Sequence, residues 1–364
     1  MSNTPPTSEA LRAALSGLLD GLPPTQAARA VERLIANYRG TTPTDAPVLR
    51  DRSDVAAYAA YRMPATFEAV RSALAALRDA APGWTPGSHT DVGGGTGAAS
   101  WAVAEAWAGE SPSDGDEAGT GGSGTGGSGT GRSGAGGGAG AGPRTTVLDW
   151  AEPALALGRE LAEASGSTGL RAARWERSRI SAAIRIESTD LVTVSYVLKE
   201  LTEGDRAAVV AEAARAARAV VIVEPGTPDG YRRVIDARDR LIAAGMTIAA
   251  PCPHSAGCPI VPGSDWCHFS ARVSRSSLHR QVKGGSLPYE DEKFSYVVAT
   301  RFPVAPVAER ITRRPQIRKG LVLLDLCEPD ETLTRRTVTK RQGALYKAAR
   351  DAEWGDAWPP PQDG

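Results

Sequence analysis

From residue 89 to residue 243 the chain alternates short apolar, β-branched runs with Ala- and Arg-rich helical segments. No other feature limits its fold as strongly. Strands are predicted at His89–Val92, Thr145–Asp149, Asp190–Leu198 and Ala219–Val223, and helices over about 98–107, 153–164, 205–218 and 229–243. The Ala219–Val223 run is apolar at every position, so that strand must be covered on both faces. This rhythm implies a mostly parallel sheet with helices on either side, a doubly wound α/β fold.

The flanks read differently. Residues 8–38 carry Ala/Leu and Arg/Glu at helical spacing, broken at Leu22-Pro23-Pro24. A third helix is expected from Thr66 to about Ala80, after Arg62-Met63-Pro64-Ala65. Within the alternating region a Gly/Ser/Thr tract occupies 112–142, and 14 of the 40 glycines fall in residues 119–142. It holds no Val, Leu, Ile, Met or aromatic residue and cannot offset its ordering entropy by burial, so a disordered surface insertion is expected. After residue 250, Pro251, Pro253, Pro259 and Pro262 end the rhythm. Phe294–Thr300 and Leu321–Leu326 read as strands of a smaller terminal lobe, with a last helix at Gln342–Arg350. The expected organisation is a helical cap (1–83), a sheet domain (84–249) and a cysteine-bearing, β-containing basic lobe (250–364).

No run approaches the ~20 apolar residues of a membrane helix, so no membrane partner is expected. The opening Met-Ser-Asn-Thr-Pro-Pro lacks the basic and apolar regions of a secretory signal. Four cysteines in 364 residues are too few for a disulfide-built secreted scaffold, and a reducing, cytoplasmic location is expected. Forty-two basic residues balance 42 acidic ones, which argues against indiscriminate coating of nucleic acid, and no DNA partner is expected. The balance is uneven along the chain: residues 293–350 hold 13 Lys/Arg against five Asp/Glu, the mark of one polyanion-facing surface.

Asp91-Val92-Gly93-Gly94-Gly95-Thr96-Gly97 follows the first expected strand and opens a helix. Glycines there permit a tight turn and close approach of a ligand to free backbone N–H groups. The loop lacks the Gly-Lys-Ser/Thr of a triphosphate-hydrolysing site. Asp149 ends the second strand, where a carboxylate can accept both hydroxyls of a ribose. This order resembles an S-adenosylmethionine-dependent methyltransferase, and the resemblance implies that Asp91, Gly93, Gly95 and Gly97 cradle the amino-acid part and Asp149 the ribose. A dinucleotide fold is the competing reading; Asp91 directly before the glycines would repel a pyrophosphate.

All four cysteines lie in the last third, as Cys252, Cys258, Cys267 and Cys327. Four thiolates suit zinc or an iron–sulfur cluster. Buried free thiols and disulfides are the plainer alternatives. The absence of a tight C-x2–4-C knuckle favours a cluster over zinc. His254 and His268 are further candidate ligands, but read first as hydrogen-bonding neighbours of the site or as exposed residues.

Arg62-Met63-Pro64-Ala65-Thr66, the glycine loop, Glu224-Pro225-Gly226-Thr227-Pro228, the Cys-Pro-His and Trp-Cys-His-Phe segments and Trp354-Gly355-Asp356 occur in an order that resembles one family. This is the methyltransferase-like assembly factor of the mitochondrial small ribosomal subunit, with its bacterial relatives. The resemblance implies a role in small-subunit maturation and makes Cys252, Cys258, Cys267 and Cys327 ligands of a [4Fe–4S] cluster. The Gly-rich insertion departs from the family pattern.

Arg272, Arg275, Arg280 and Lys283 flank the cysteine loop; Arg310, Arg313, Arg314, Arg318 and Lys319 precede the fourth cysteine, and Arg335, Arg336, Lys340 and Arg341 follow it. Such cations can neutralise RNA phosphates; Tyr289 and Phe294 read first as core residues, with stacking on a base as the alternative. Two readings follow: a non-catalytic assembly factor gripping rRNA, or an active rRNA methyltransferase with a structural four-cysteine metal site. No Asn-Pro-Pro-Tyr follows the third strand; the chain runs Ser195-Tyr196-Val197-Leu198-Lys199-Glu200. A zinc-stapled methyltransferase for a small molecule or protein is a third reading, and the basic lobe weighs against it.

Overall fold

A computed structural model describes residues 7–19, 25, 29, 31–32, 52–110, 142–261, 263–276, 287–305 and 308–360. The expected insertion, the greater part of the second N-terminal helix, Arg280 and Lys283 lie outside these residues.

Helix α1 (Thr7–Leu19) packs on the long α2 (Arg52–Ala80). The sequence pattern starts that helix at Thr66, yet it runs through Pro64. A mid-helix proline costs about 3 kcal/mol; Met63, Ala65 and Phe67, each at most 2% exposed, bury enough apolar surface around it to hold the helix together.

The strand–helix series follows: β1 (Ser88–Val92), α3 (Ala98–Ala106), β2 (Arg144–Asp149), α4 (Glu152–Glu163), α5 (Thr168–Arg171), β3 (Arg174–Arg177) and β4 (Thr189–Ser195). It continues with α6 (Glu203–Ala216), β5 (Ala217–Pro225), α7 (Pro228–Ala243), β6 (Thr247–Ala250), β7 (Phe269–Ser274) and β8 (Tyr289–Thr300). The eight-stranded sheet has the order β3-β2-β1-β4-β5-β8-β6, with β7 on the projecting part of β8. Strands β3, β2, β1, β4 and β5 are parallel, and β8 is antiparallel to β5 and β6. Period-two alternation divides the core: Ala219, Val221 and Val223 of β5 face α1–α4, whereas Val220 and Ile222 face α6 and α7. This is the doubly wound α/β methyltransferase-like fold.

The run Phe294–Thr300, expected in the terminal lobe, lies instead inside the main sheet between β5 and β6. An antiparallel strand can enter by a long return, and the apolar run matches the doubly covered place it fills. A second, five-stranded sheet follows, made of β9 (Glu309–Ile311), β10 (Gln316–Arg318), β11 (Leu321–Cys327), β12 (Leu333–Thr339) and β13 (Ala357–Trp358). Helix α8 (Ala344–Asp351) packs its Ala349 with Val322, Leu324, Leu326, Val338 and Trp358.

Candidate functional site

In an open α/β sheet, ligands enter beyond the carboxyl ends of the strands where the strand order reverses, here between β1 and β4. The glycine loop lies at that point. Gly93 and Gly97 adopt φ of +67° and +85°. A Cβ at Gly97 would stand 2.6 Å from the Trp175 ring, so bulk there clashes as well as straining the backbone.

Asp91 lies beneath this loop, fully buried. One carboxylate oxygen accepts the Thr193 hydroxyl at 2.9 Å and the other accepts that of Ser100 at 3.0 Å. Burial pushes its carboxyl from 3.8 up to about 6, with nearby Asp149 adding to the shift. Thr193 has one proton and gives it to Asp91, so it accepts from His89 Nε2 at 2.9 Å, while Nδ1 lies 3.3 Å from the Thr145 hydroxyl oxygen. Burial lowers His89 from 6.5 to about 3 and keeps the ring neutral. Nothing in the local residue pattern announces this polar chain across β2, β1 and β4.

Asp149 is half-buried at the mouth of the crevice. Its oxygens accept the N–H groups of Gly95 at 2.9 Å and Ala151 at 2.8 Å, which aims the carboxylate and leaves lone pairs for a ligand. Burial raises its pKa, opposed by these backbone donors. Trp150, next in sequence, is 56% exposed with the Arg177 guanidinium 4.5 Å from its ring centroid. A large exposed aromatic beside the carboxylate is a flat stacking surface that sequence reasoning missed; its place directly after Asp149 was the available signal.

Beyond β4, Tyr196 holds φ of +59°, a left-handed backbone rare for an aromatic residue. Its N–H donates to the Val223 carbonyl at 2.8 Å and its hydroxyl to Glu292 at 3.1 Å. The guanidinium of Arg62 makes two bonds to the same carboxylate, at 3.0 and 3.3 Å. Burial, followed by the Glu292 charge, pushes the Tyr196 phenol well above its usual range, so it serves as a proton donor. Met63, the next residue of α2, accepts the Thr96 hydroxyl from the glycine loop at 3.4 Å. The Arg62-Met63-Pro64-Ala65 segment of α2 is thus tied to both the glycine loop and β8.

The four cysteines, remote in sequence, line one cavity together with Tyr231, Arg238 and Arg310. All are free thiols. Burial raises Cys252, Cys267 and Cys327, and for Cys267 the charges of Cys252, Cys258 and Cys327 add to it, so the four sulfurs feel one another. The Tyr231 hydroxyl is 3.3 Å from the Cys258 sulfur, and His254 Nε2 is 3.8 Å from that of Cys327. Arg238, 1% exposed, donates to the His254 and Ala256 carbonyls at 3.1 and 2.6 Å, and its Nε has no partner among the described residues. Arg310 donates to the Pro251 and Gly355 carbonyls. Arg238, although also paired with Asp239 at 3.2 Å, and Arg310 both favour the charged form of Cys252 against burial, so the donor set fits an anionic thiolate-ligated centre. A single tetrahedral ion with bonds of about 2.3 Å holds its sulfurs roughly 3.8 Å apart. No group of three His, Cys, Asp or Glu among the described residues has the geometry to hold one ion. His268 is stacked on Trp266 and set edge-on to Trp354, with centroids 5.2 and 4.9 Å away.

The basic candidates divide sharply. Arg272 pairs with Asp291 and covers the Tyr289 ring, Arg275 pairs with Glu290, and Arg313 with Asp265. Arg335 pairs with Asp325, and Arg336 with Glu309 and Glu328. Arg314, Arg318, Lys319, Lys340 and Arg341 are exposed and have no carboxylate partner among the described residues. Phe294 is 2% exposed and belongs to the core, the first of its two expected roles, which leaves it no face for stacking on a base.

The family described as mitochondrial small ribosomal subunit Rsm22 matches residues 52–114 and 139–359. The human mitochondrial ribosome assembly protein METTL17 is 28% identical over 320 residues, covering 83% of this chain and 62% of its own. The mitochondrial Rsm22-cox11 tandem protein 2 of Schizosaccharomyces pombe is 29% identical over 182 residues, covering 38% of this chain and 24% of its own. The chain therefore spans about a quarter of the yeast protein and less than two thirds of the human one. Among solved structures, the magnesium protoporphyrin IX methyltransferase of Synechocystis PCC 6803 with bound SAM is 13% identical. It covers 68% of this chain and 84% of its own, with a TM-score of 0.38.

Proposed function

The chain belongs to the Rsm22 family of the mitochondrial small ribosomal subunit, and on that premise we propose that it is an assembly factor of the small ribosomal subunit. In this reading the crevice binds S-adenosylmethionine, the sulfur quartet holds a [4Fe–4S] cluster, and the basic C-terminal lobe contacts rRNA.

The observation that carries the reading is the convergence of Cys252, Cys258, Cys267 and Cys327 on one cavity with Arg238 and Arg310 buried in its wall. A cluster bound there supplies a cross-link between β11 and the loops around β6 and β7. Arg238 and Arg310 hold the loop from Pro251 to Ala256 by its carbonyls, which sets the position of Cys252.

In the crevice, Asp149 is aimed to accept the ribose hydroxyls, Trp150 offers its face to the adenine, and Gly93, Gly95 and Gly97 bring backbone close to the amino-acid part. Asp91 acts from below by holding the loop to β4 and α3. After β4, where an amino-methylating enzyme would position a base, Tyr196 is instead bonded to Glu292, which also pairs with Arg62. That arrangement favours binding over methyl transfer.

Anaerobic purification with iron and sulfide analysis tests the cluster: about four of each per chain supports it, and a colourless protein with one zinc rejects it. Incubation of labelled S-adenosylmethionine with small subunits from a deletion strain tests the catalytic alternative. Particle binding without label in the rRNA supports the assembly-factor reading, and stoichiometric label replaces it with an rRNA methyltransferase.

A further inference from the structure

The cations of the terminal sheet are not spread evenly over it. In the β11–β12 pair, Asp325 lies opposite Arg335 and Cys327 opposite Leu333, whereas Leu321 at the other end lies opposite Thr339. Strand β10 brings Arg318 opposite the same Leu321. The turn Lys319-Gly320 and the turn Lys340–Gln342 therefore meet at one end of the sheet, joined by the Lys340 N–H donating to the Gly320 carbonyl at 3.0 Å. Gln342 accepts the Thr339 N–H at 2.7 Å and fixes the second turn. Four exposed cations, Arg318, Lys319, Lys340 and Arg341, are thus held on one braced tip.

The two ends of β11 differ in charge compensation. Toward Cys327, Arg335 and Arg336 are neutralised by Asp325, Glu309 and Glu328. At the tip no carboxylate approaches any of the four cations among the described residues, and Arg318 bonds only to the neutral Gln316 amide, at 3.3 Å. Neither Arg313–Leu324 nor Thr334–Arg350 contains an Asp or Glu. An arginine already paired must break that pair to meet a phosphate, whereas an unpaired one binds at no such cost.

Building on the rRNA-contact reading, we propose that the tip formed by Arg318, Lys319, Lys340 and Arg341 is the RNA phosphate-binding surface, and that the paired Arg272, Arg275, Arg313, Arg335 and Arg336 are structural. The tip offers four cations and no aromatic side chain among them, so its contacts are to the phosphate backbone and independent of sequence. The tip stands at one end of β11 and Cys327 at the other, seven residues or roughly 23 Å of extended chain apart.

The test is filter binding of the full-length protein to transcribed small-subunit rRNA between about 50 and 300 mM KCl. It compares wild type, the fourfold Arg318→Gln/Lys319→Gln/Lys340→Gln/Arg341→Gln variant and an Arg272→Gln/Arg335→Gln comparator. The fourfold variant should lose about three units of the log–log salt slope and bind at least about a hundredfold more weakly near 100 mM, with the comparator within about threefold of wild type. Single variants Lys319→Gln and Lys340→Gln should each lose about one unit of slope, and they decide the matter if the fourfold variant fails to fold. A folded tip variant with the wild-type slope and affinity overturns the assignment. Wild-type protein that binds no rRNA at any salt overturns instead the rRNA-contact reading on which the tip depends.

Discussion

The Arg62 guanidinium stands over the Tyr196 ring, 5.2 Å from its centroid, and both side chains are bonded to the carboxylate of Glu292. Three elements far apart in the chain, α2, the end of β4 and β8, meet in this contact. It also accounts for the left-handed backbone of Tyr196: two side-chain partners and a bond to Val223 over-determine a conformation that costs about 1–3 kcal/mol.

Arg62→Ala should destabilise the protein by about 1–2 kcal/mol, because Glu292, whose side chain is 15% exposed, loses its cation, while partial exposure keeps the loss below that of a fully buried pair. Tyr196→Phe keeps the ring and loses one hydrogen bond, about 1 kcal/mol. Thermal unfolding should rank wild type above Tyr196→Phe above Arg62→Ala. Equal midpoints for all three would show that the contact adds nothing.

Asp149→Ala should weaken S-adenosylmethionine binding about 10- to 100-fold, the loss of one charged acceptor, with the far-UV spectrum unchanged. Trp150→Ala should weaken it by a similar factor through lost stacking. Calorimetry reads both; unchanged affinity in either rejects that residue's role.

Asp91 and His89 pull the pH dependence of stability in opposite directions. The Asp91 carboxyl is raised to about 6 by burial, so the folded state holds its proton more tightly and stability is lost as pH rises from about 4 to 6. His89 is lowered to about 3 by burial, so its contribution is present above 6.5 and lost as pH falls toward 3. Each slope is about 1.4 kcal/mol per pH unit, and between about pH 4 and 6 they largely cancel. Asp91→Asn should therefore expose a gain in stability with rising pH, and His89→Gln a loss. Urea midpoints at about pH 4, 5 and 6 test the signs; parallel profiles for both variants would contradict them.

Cys327→Ser should remove most of the iron and lower the unfolding temperature, because the cross-link from β11 to the loops around β6 and β7 is then lost. Arg238→Gln should keep the four sulfurs and still reduce iron content, since a compensating buried cation is gone. Iron assays on both proteins check this, and full iron in Cys327→Ser would remove that residue from the ligand set.

Local spacing carries the parts of this protein that depend on neighbours in the chain. Period-two and helical patterns place β1, β2, β4, β5 and helices α3, α4, α6 and α7 within a few residues of their observed bounds. The glycine loop is legible for the same reason, since its backbone demands belong to those few residues. Entry of β8 between β5 and β6 could not be read this way, because an apolar run is compatible with any doubly covered place in a sheet. Nor could the split of the arginines be read, since a cation is paired or unpaired according to which carboxylate the fold brings within about 4 Å. Arg336 meets Glu309 from 27 positions away, while Lys340 meets none among the described residues. The amino-acid order alone determines which groups can act and which segments coil or extend. Tertiary packing decides which of those groups meet, because pairing energies fall off over a few ångströms in space, without regard to distance along the chain.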